Sequence, residues 1–213
     1  MSLSSSSDVV GRLHVVTDAR GGRAALDAVR AALVAGAPVV QVRAKGGTDR
    51  ERYAFAREVV VLCRAAGARC LVNDRVDIAL AAGADGTHVG ADDLPVAAVR
   101  RIAGPGHVVG GTARDPQQAA ALVAAGADYL GVGPAFATST KDGLPDPIGP
   151  AGVAAVAAAV AVPVVAIGGV TAARVPELLA AGAHGVAVVS AVSGAPDPAA
   201  ATRALLAALD GGG

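Results

Sequence analysis

The chain has 213 residues, of which 53% are apolar, and its 18 lysines and arginines equal its 18 aspartates and glutamates in number. This length and apolar content suit a substantial hydrophobic core. Zero net charge gives no overall attraction to nucleic acid or to an anionic membrane, so we expect neither as a partner. Cys63 and Cys70 form no CxxC pair. We therefore predict free thiols in a reducing compartment, the cytoplasm.

Residues 1–10 are polar and rich in serine, and we predict a flexible tail there. The segment has neither the basic nor the apolar region of a secretory signal. Beyond it, residues 11–210 repeat one pattern, in which an alanine-rich helical stretch is followed by a short apolar run. An Ala-Gly-Ala tripeptide ends five of the helical stretches, at a point where a helix C-terminus favours a left-handed glycine.

Eight apolar runs have the length and two-sided hydrophobicity of parallel strands covered by helices. We predict strands at 12–17, 39–43, 69–73, 86–89, 107–111, 129–133, 163–167 and 185–189. Helices are predicted at 23–35, 49–66, 75–82, 95–103, 116–125, 149–160, 171–181 and 197–209. Eight such units predict an α/β fold, a single (β/α)8 TIM barrel with its active site at the C-terminal ends of the strands. The alternative is an open doubly wound sheet, which favours a GxGxxG that residues 18–24 lack.

One uncharged stretch, residues 151–170, has the length of a membrane span. It consists mostly of alanine and valine, and Pro163 and the pair Gly168-Gly169 interrupt it. A buried helix followed by a buried strand accounts for this pattern better than a transmembrane helix does.

The second predicted strand ends in three polar residues, Gln41, Arg43 and Lys45, at a spacing of two. Residues at this spacing share one face of a strand. Two cations and an amide on one face of a buried strand need an anionic partner, and phosphate or pyrophosphate fits them. An edge strand with one solvated face is the alternative for this segment.

Two acidic residues follow neighbouring strands. Asp74 comes after the third strand, next to Asn73, and Asp93 closes the loop after the fourth. Two carboxylates with substrate phosphate oxygens suit Mg²⁺, and we predict this metal at the site. Taken singly, each aspartate fits helix capping better, but the cations of the second strand favour the joint metal site. Asp92 adjoins Asp93, so the sequence leaves the second ligand open by one position.

A second anion site is predicted after the last three strands. The loop after the sixth strand contains three hydroxyls and a lysine at 138–141, although such loops are often only solvated. Gly168-Gly169 and Ser190 follow the last two strands, where barrels commonly bind phosphate through backbone N–H groups. Two anion sites predict two phosphorylated substrates, or one substrate phosphorylated at both ends.

Together these motifs resemble those of the thiamine-phosphate synthase family, from about Leu13 to about Leu206. The matching motifs are Gln41-x-Arg43-x-Lys45, Asn73-Asp74, Asp85-Gly86-x-His88-x-Gly90 with Asp93, Gly131-x-Gly133-Pro134, Thr138-x-Thr140-Lys141, Ile167-Gly168-Gly169 and Val189-Ser190. The resemblance implies a transferase of thiamine biosynthesis. Such an enzyme joins 4-amino-2-methyl-5-hydroxymethylpyrimidine diphosphate to 4-methyl-5-hydroxyethylthiazole phosphate, or to its carboxylated form, and releases pyrophosphate.

The resemblance also implies a role for each matching residue. The catalytic residues are expected to be Arg43, Lys45 and Lys141. The pyrimidine diphosphate is expected to bind Gln41, Arg43, Lys45, Asn73, Thr112 and Lys141. The thiazole phosphate is expected to bind Thr138, Ser139, Thr140, Gly168, Val189 and Ser190. Asp74 and Asp93 are expected to bind Mg²⁺.

The chain departs from the family pattern in a few places. Thr112 stands where the family usually has serine, but it keeps the hydroxyl group. The loop 142–148 contains two prolines, which could change how it closes. Phe136 is the only aromatic residue in a predicted site loop, so we expect no large stacking platform for the pyrimidine.

Two other functions are compatible with this fold. A thiazole tautomerase has the same barrel but no diphosphate substrate, and Asp74, Asp93 and Lys141 argue against it. A non-catalytic phosphate-binding barrel should have lost the charged residues of one anion site, whereas both sites are intact. The sequence leaves open whether copies of the chain form a homo-oligomer.

Overall fold

The computed structural model of the protein describes residues 10–18, 21–138, 140, 143 and 145–211. Within them, eight parallel strands form a closed barrel in sequence order, and β8 pairs with β1. The strands are β1 (Leu13–Val16), β2 (Val39–Val42), β3 (Arg69–Asn73), β4 (Gly86–Val89), β5 (Val108–Ala113), β6 (Tyr129–Val132), β7 (Val164–Ile167) and β8 (Gly185–Val188). The predicted (β/α)8 barrel is therefore confirmed. The predicted tail lies, except for Val10, outside the described residues.

Helices connect the strands and cover the outside of the barrel. They are α1 (Gly22–Val34), α2 (Asp49–Ala66), α3 (Val76–Ala82), α4 (Val96–Ala103), α5 (Pro116–Ala124), α6 (Gly149–Ala159), α7 (Val175–Ala180), α8 (Ser190–Ser193) and α9 (Pro198–Asp210). The uncharged stretch 151–170 is divided between α6 and β7, as predicted. No helix in the described part of the chain is both long and apolar enough to cross a membrane.

Local sequence determines where the helices begin and end. At the start of α2, the Thr48 hydroxyl accepts the N–H of Glu51, and the Glu51 carboxylate accepts the N–H of Thr48. This reciprocal pair satisfies two backbone donors that the first helical turn leaves free. The glycines of all five Ala-Gly-Ala tripeptides have positive φ, which confirms the predicted helix ends.

Alternation along the strands separates two apolar regions. Val40 and Val42 of β2 point outward and pack with residues of α2 and α3. Val39, from the same strand, packs inside the barrel with Leu71 and Tyr129. Because side chains alternate, Gln41 shares the inner face with Val39 and is buried there. The inward-pointing residues of each strand therefore line the barrel interior up to the C-terminal ends of the strands.

Candidate active site

A cavity of about 440 Å³ opens at the C-terminal ends of the strands, and residues from all eight strands line it. The predicted site residues in its wall are Gln41, Arg43, Lys45, Asn73, Asp74, Asp93, Thr112, Thr138, Thr140, Gly168, Val189 and Ser190. Ser139 and Lys141 lie outside the described residues. The barrel thus gathers residues that are far apart in the sequence around one cavity.

The cations at the end of β2 lie on the cavity side. The hydroxyl of Thr17, at the end of β1, accepts the backbone N–H of Arg43 at 2.8 Å and so fixes the start of this loop. No ion pair between Arg43 and a carboxylate is found within the described part of the chain. The Lys45 ammonium, by contrast, contacts the Asp74 carboxylate. Arg43 is therefore the cation with no carboxylate partner in the described wall.

The two predicted metal ligands lie next to each other. The carboxyl group of Asp74 is within hydrogen-bonding reach of Asp93, and both its burial and this contact raise its pKa. The backbone N–H of Asp74 donates to the carbonyl of His88 at 2.8 Å, and Asp93 accepts the Gly90 N–H at 2.8 Å. Asp92 also lines the cavity, but its side chain is exposed. Two carboxylates in contact need a shared proton or a cation between them.

Hydroxyl groups line the opposite side of the cavity. Thr138 donates to the Thr140 hydroxyl at 3.1 Å, and Thr140 lies 3.5 Å from the hydroxyl of Ser190 at the start of α8. Gly168 has φ of 95°, and a Cβ atom there would lie 2.7 Å from Pro134. Glycine is therefore required for the turn that brings this backbone to the cavity. The cavity has a charged side at β2–β4 and a hydroxyl-rich side at β6–β8.

A family model described as thiamine monophosphate synthase matches residues 13–192. The chain belongs to the thiamine monophosphate synthase family. It is 62% identical over 203 residues to the thiamine-phosphate synthase of Salinispora arenicola, with 94% of this chain and 98% of that protein covered. The structure of a thiamine phosphate pyrophosphorylase from Pyrococcus furiosus superposes with a TM-score of 0.88, at 36% identity, and covers 97% of this chain and 98% of that one.

A further relative, the thiamine-phosphate synthase of Salinibacter ruber, is 45% identical over 95% of this chain and 90% of that protein. The family model's match, residues 13–192, includes every described residue that lines the cavity. The chain therefore functions as a thiamine-phosphate synthase, a transferase of thiamine biosynthesis. The predictions of family, fold, enzyme class and function are confirmed.

The synthase cavity has a polar floor that was not predicted from the sequence. His14, His88 and Tyr129 line it from inside the barrel. The ring of Tyr129 lies between the two imidazoles, with centroids 5.2 Å from His14 and 5.5 Å from His88. Burial lowers the pKa of each histidine to about 4 and raises the pKa of Tyr129, so all three groups are neutral near pH 7.

Two glycines in the sequence, Gly110 and Gly131, indicate the space that these rings occupy. A Cβ atom at Gly110 would lie 2.2 Å from the Tyr129 ring, and one at Gly131 would lie 2.9 Å from the His88 ring. Gly110 pairs in register with His88 and with Tyr129 on the adjacent strands. Glycine beside a large polar residue on the neighbouring strand therefore marks where the barrel interior makes room for it.

The aromatic prediction was incomplete. Phe136 lies outside the cavity wall, and its ring is covered by the guanidinium of Arg174 at 4.3 Å. Tyr129 instead provides an aromatic ring at the cavity floor. Tyr129 lies in β6, which is otherwise apolar, so the sequence alone does not distinguish it from a core residue.

Proposed function

We propose that this cavity joins 4-amino-2-methyl-5-hydroxymethylpyrimidine diphosphate to 4-methyl-5-hydroxyethylthiazole phosphate, or to its carboxylated form. The observation that carries the proposal is the pair of unlike anion sites in one cavity, with charged groups on one side and hydroxyls on the other. One site suits a diphosphate and the other suits a monophosphate. A synthase that joins two phosphorylated substrates needs both.

The charged side is proposed to hold the pyrimidine diphosphate. Arg43, with no carboxylate partner among the described residues, offers a planar donor pair that matches phosphate oxygens. Lys45 and Thr112 add an ammonium group and a hydroxyl from neighbouring parts of the same wall. Asn73 and Gln41 offer amides for the remaining polar atoms of the substrate. The family resemblance adds Lys141 to this set.

Asp74 and Asp93 fit a Mg²⁺ ion. Their carboxyl groups are in contact, which like charges tolerate only with a proton or a cation between them. Mg²⁺ takes one or two carboxylates and fills its other positions with water and substrate phosphate, so a pair of aspartates suits it. When bound, the ion supplies positive charge beside the diphosphate.

The hydroxyl side is proposed to hold the thiazole phosphate. Thr138, Thr140 and Ser190 present linked hydroxyl groups, and the turn at Gly168 brings backbone close to them. Ser139 and Val189 complete the set by family resemblance. Neutral donors suit a monophosphate that must be held but not chemically changed.

The reaction follows from this arrangement. The bond between the pyrimidine methylene carbon and the diphosphate oxygen breaks, and its electron pair leaves with the diphosphate. Arg43 and Lys45 interact with the diphosphate more strongly in the transition state, where this negative charge develops, than in the ground state. The lone pair of the thiazole nitrogen then forms the new bond to the methylene carbon. Holding both substrates in one cavity replaces a bimolecular encounter with an aligned one.

Phosphorylated small molecules are thus the proposed partners, and the cytoplasm is the proposed compartment. Cys63 and Cys70 are buried free thiols, as predicted, and reduced thiols are typical of that compartment.

The test is pyrophosphate release from a mixture of the purified enzyme, both substrates and Mg²⁺. We expect release only when all three additions are present. Release without the thiazole phosphate at the full rate, or none in a protein that binds both substrates, would contradict the proposal. Binding of the thiazole phosphate alone would favour a tautomerase.

A further inference from the structure

A chain of hydrogen bonds crosses the floor of the cavity, and its two inner members, His88 and Tyr129, have no role in the proposed reaction. The Thr112 hydroxyl lies 2.9 Å from Nε2 of His88, and Nδ1 of His88 lies 3.0 Å from the Tyr129 hydroxyl. The side chain of Gln41 is within hydrogen-bonding reach of the Tyr129 hydroxyl. Thr112 and Gln41, at the two ends of the chain, both line the cavity.

This chain is built into the barrel. His88 is 9% exposed and Tyr129 is 1% exposed, so water competes little for their hydrogen bonds. The absence of side chains at Gly110 and Gly131 gives both rings their space. The four linked residues come from β2, β4, β5 and β6, so the chain spans half of the barrel.

The hydrogen bonds of the chain must all run in one direction. A neutral imidazole has one donor nitrogen and one acceptor nitrogen, and each hydroxyl has one proton to give. If Thr112 donates to an anion in the cavity, its oxygen must accept from Nε2 of His88. Nδ1 of His88 is then the acceptor and takes the Tyr129 proton. The Tyr129 oxygen in turn accepts from the amide nitrogen of Gln41.

This direction determines what Gln41 presents to the substrate. With its amide nitrogen bound to Tyr129, Gln41 turns its carbonyl oxygen towards the cavity. A carbonyl oxygen accepts hydrogen bonds, so it selects a ligand with a donor such as an amino group. In the opposite direction, Thr112 would offer a lone pair to the anion, which is repulsive.

We propose that His88 and Tyr129 are positioning residues that couple the two ends of the pyrimidine substrate. Diphosphate bound at Thr112 fixes the direction of the chain, and Gln41 then accepts a hydrogen bond from the 4-amino group of the pyrimidine. This proposal rests on the proposed function, because it assigns the diphosphate and the pyrimidine to the β2–β5 side of the cavity. Under this proposal the enzyme selects for the amino group only in a ligand whose diphosphate binds Thr112.

The test compares dissociation constants for two ligands, measured by calorimetry. One is the 4-amino pyrimidine diphosphate, and the other is its analogue with hydrogen in place of the amino group. The wild-type enzyme should prefer the amino ligand by at least about ten-fold. Tyr129→Phe keeps the ring beside His14 but breaks the chain, and it should reduce this preference to about two-fold or less. Affinity for inorganic pyrophosphate should change little.

Two further variants separate this role from a structural one. Thr87 and His107 form a second buried hydroxyl–imidazole bond of 2.8 Å, on the outer face of β4. Thr87→Val therefore removes the same kind of bond without touching the chain and should keep the wild-type preference. Thr112→Val should lose the preference and Thr112→Ser should retain it.

The outcomes are distinguishable. If Tyr129→Phe keeps the wild-type preference, or if the wild type has none, the coupling is wrong while the proposed function stands. If neither diphosphate binds the wild-type enzyme, the proposed function itself fails. Equal loss of preference in Tyr129→Phe and Thr87→Val would assign a merely structural role to both.

Discussion

Asp74 combines an unusual backbone with a crowded carboxylate. It is the only non-glycine residue with positive φ, 65°, among the residues that the structure describes. Aspartate and asparagine tolerate this left-handed conformation better than most residues. Its side chain contacts both Asp93 and Lys45. Strain and charge together, at the mouth of a cavity, point to a functional role for this residue.

We expect Asp74→Asn to lower the apparent affinity for Mg²⁺ by at least about ten-fold and to reduce turnover. Asparagine is chosen because it keeps the size and the left-handed backbone while it removes the negative charge. Alanine at this position would add backbone strain to the loss of charge. The measurement is the rate of pyrophosphate release as a function of Mg²⁺ concentration.

Asp77→Asn provides the matched control. Asp77 is three residues away, and its exposed carboxylate pairs with Arg75 rather than with the cavity residues. It should leave the Mg²⁺ titration unchanged. A wild-type titration in Asp74→Asn would show that Asp74 does not bind the metal.

Residues at strand ends were predictable, and residues inside the barrel were not. Parallel strands end at the same edge, so Arg43, Asp74 and Ser190 could be placed together from strand positions alone. A single histidine or tyrosine in an apolar strand, such as His88 or Tyr129, looks like an ordinary core residue. Its function depends on its neighbours across the sheet, and the register that brings them together is not visible in one sequence.

At the scale of elements, the loop between β6 and α6 is tied to the rest of the barrel by Arg114. This residue follows β5, and its guanidinium donates to the carbonyl of Asp146 at 2.6 Å. Its Nε atom is buried and has no partner among the described residues. The end of the loop is held separately, because the Ile148 N–H donates to the Pro134 carbonyl at 2.9 Å. Arg114 thus ties down the end of a loop whose Thr138 and Thr140 line the cavity.

We expect Arg114→Ala to loosen this loop. The carbonyl of Asp146 loses its charged donor, so amide hydrogen exchange at Asp146 and Ile148 should become faster. The value of kcat/KM should fall by about three-fold to ten-fold, because a looser loop aligns the substrates less well. Hydrogen exchange with mass spectrometry and steady-state kinetics measure the two effects.

Arg101→Ala removes an exposed arginine on α4 and should change neither quantity. Unchanged exchange at Asp146 and Ile148 in Arg114→Ala would show that Arg114 does not hold the loop. The sequence indicated the prolines of this loop, but it did not indicate a contact with Arg114. A contact between two loops is a tertiary feature that leaves no local sequence pattern.

The helix α8 was not predicted for a different reason. It has only four residues, which is too short to show helical periodicity in the sequence.

At the scale of the whole molecule, buried histidines make the stability of the barrel depend on pH. His14 donates from Nε2 to the Val10 carbonyl, 2.8 Å away, and His88 lies in the chain of hydrogen bonds described above. Burial lowers the pKa of both to about 4, from an ordinary value near 6.5. Between these values the unfolded chain binds protons that the folded barrel excludes. Stability therefore falls as the pH drops from 6.5 to 4, and it is insensitive to these groups above that range.

Urea denaturation at several pH values should show this loss. Each histidine contributes at most about 1.4 kcal/mol per pH unit within the window. His14→Gln can still donate to the Val10 carbonyl but does not titrate, so its free energy of unfolding should vary less steeply with pH. The exposed carboxylates of Asp49 and Glu51 also have lowered pKa values, but they lose their contribution only below their ordinary values near 4. If the free energy of unfolding falls equally steeply with pH in the wild type and in His14→Gln between pH 6.5 and 5, the pKa of His14 is not lowered by burial.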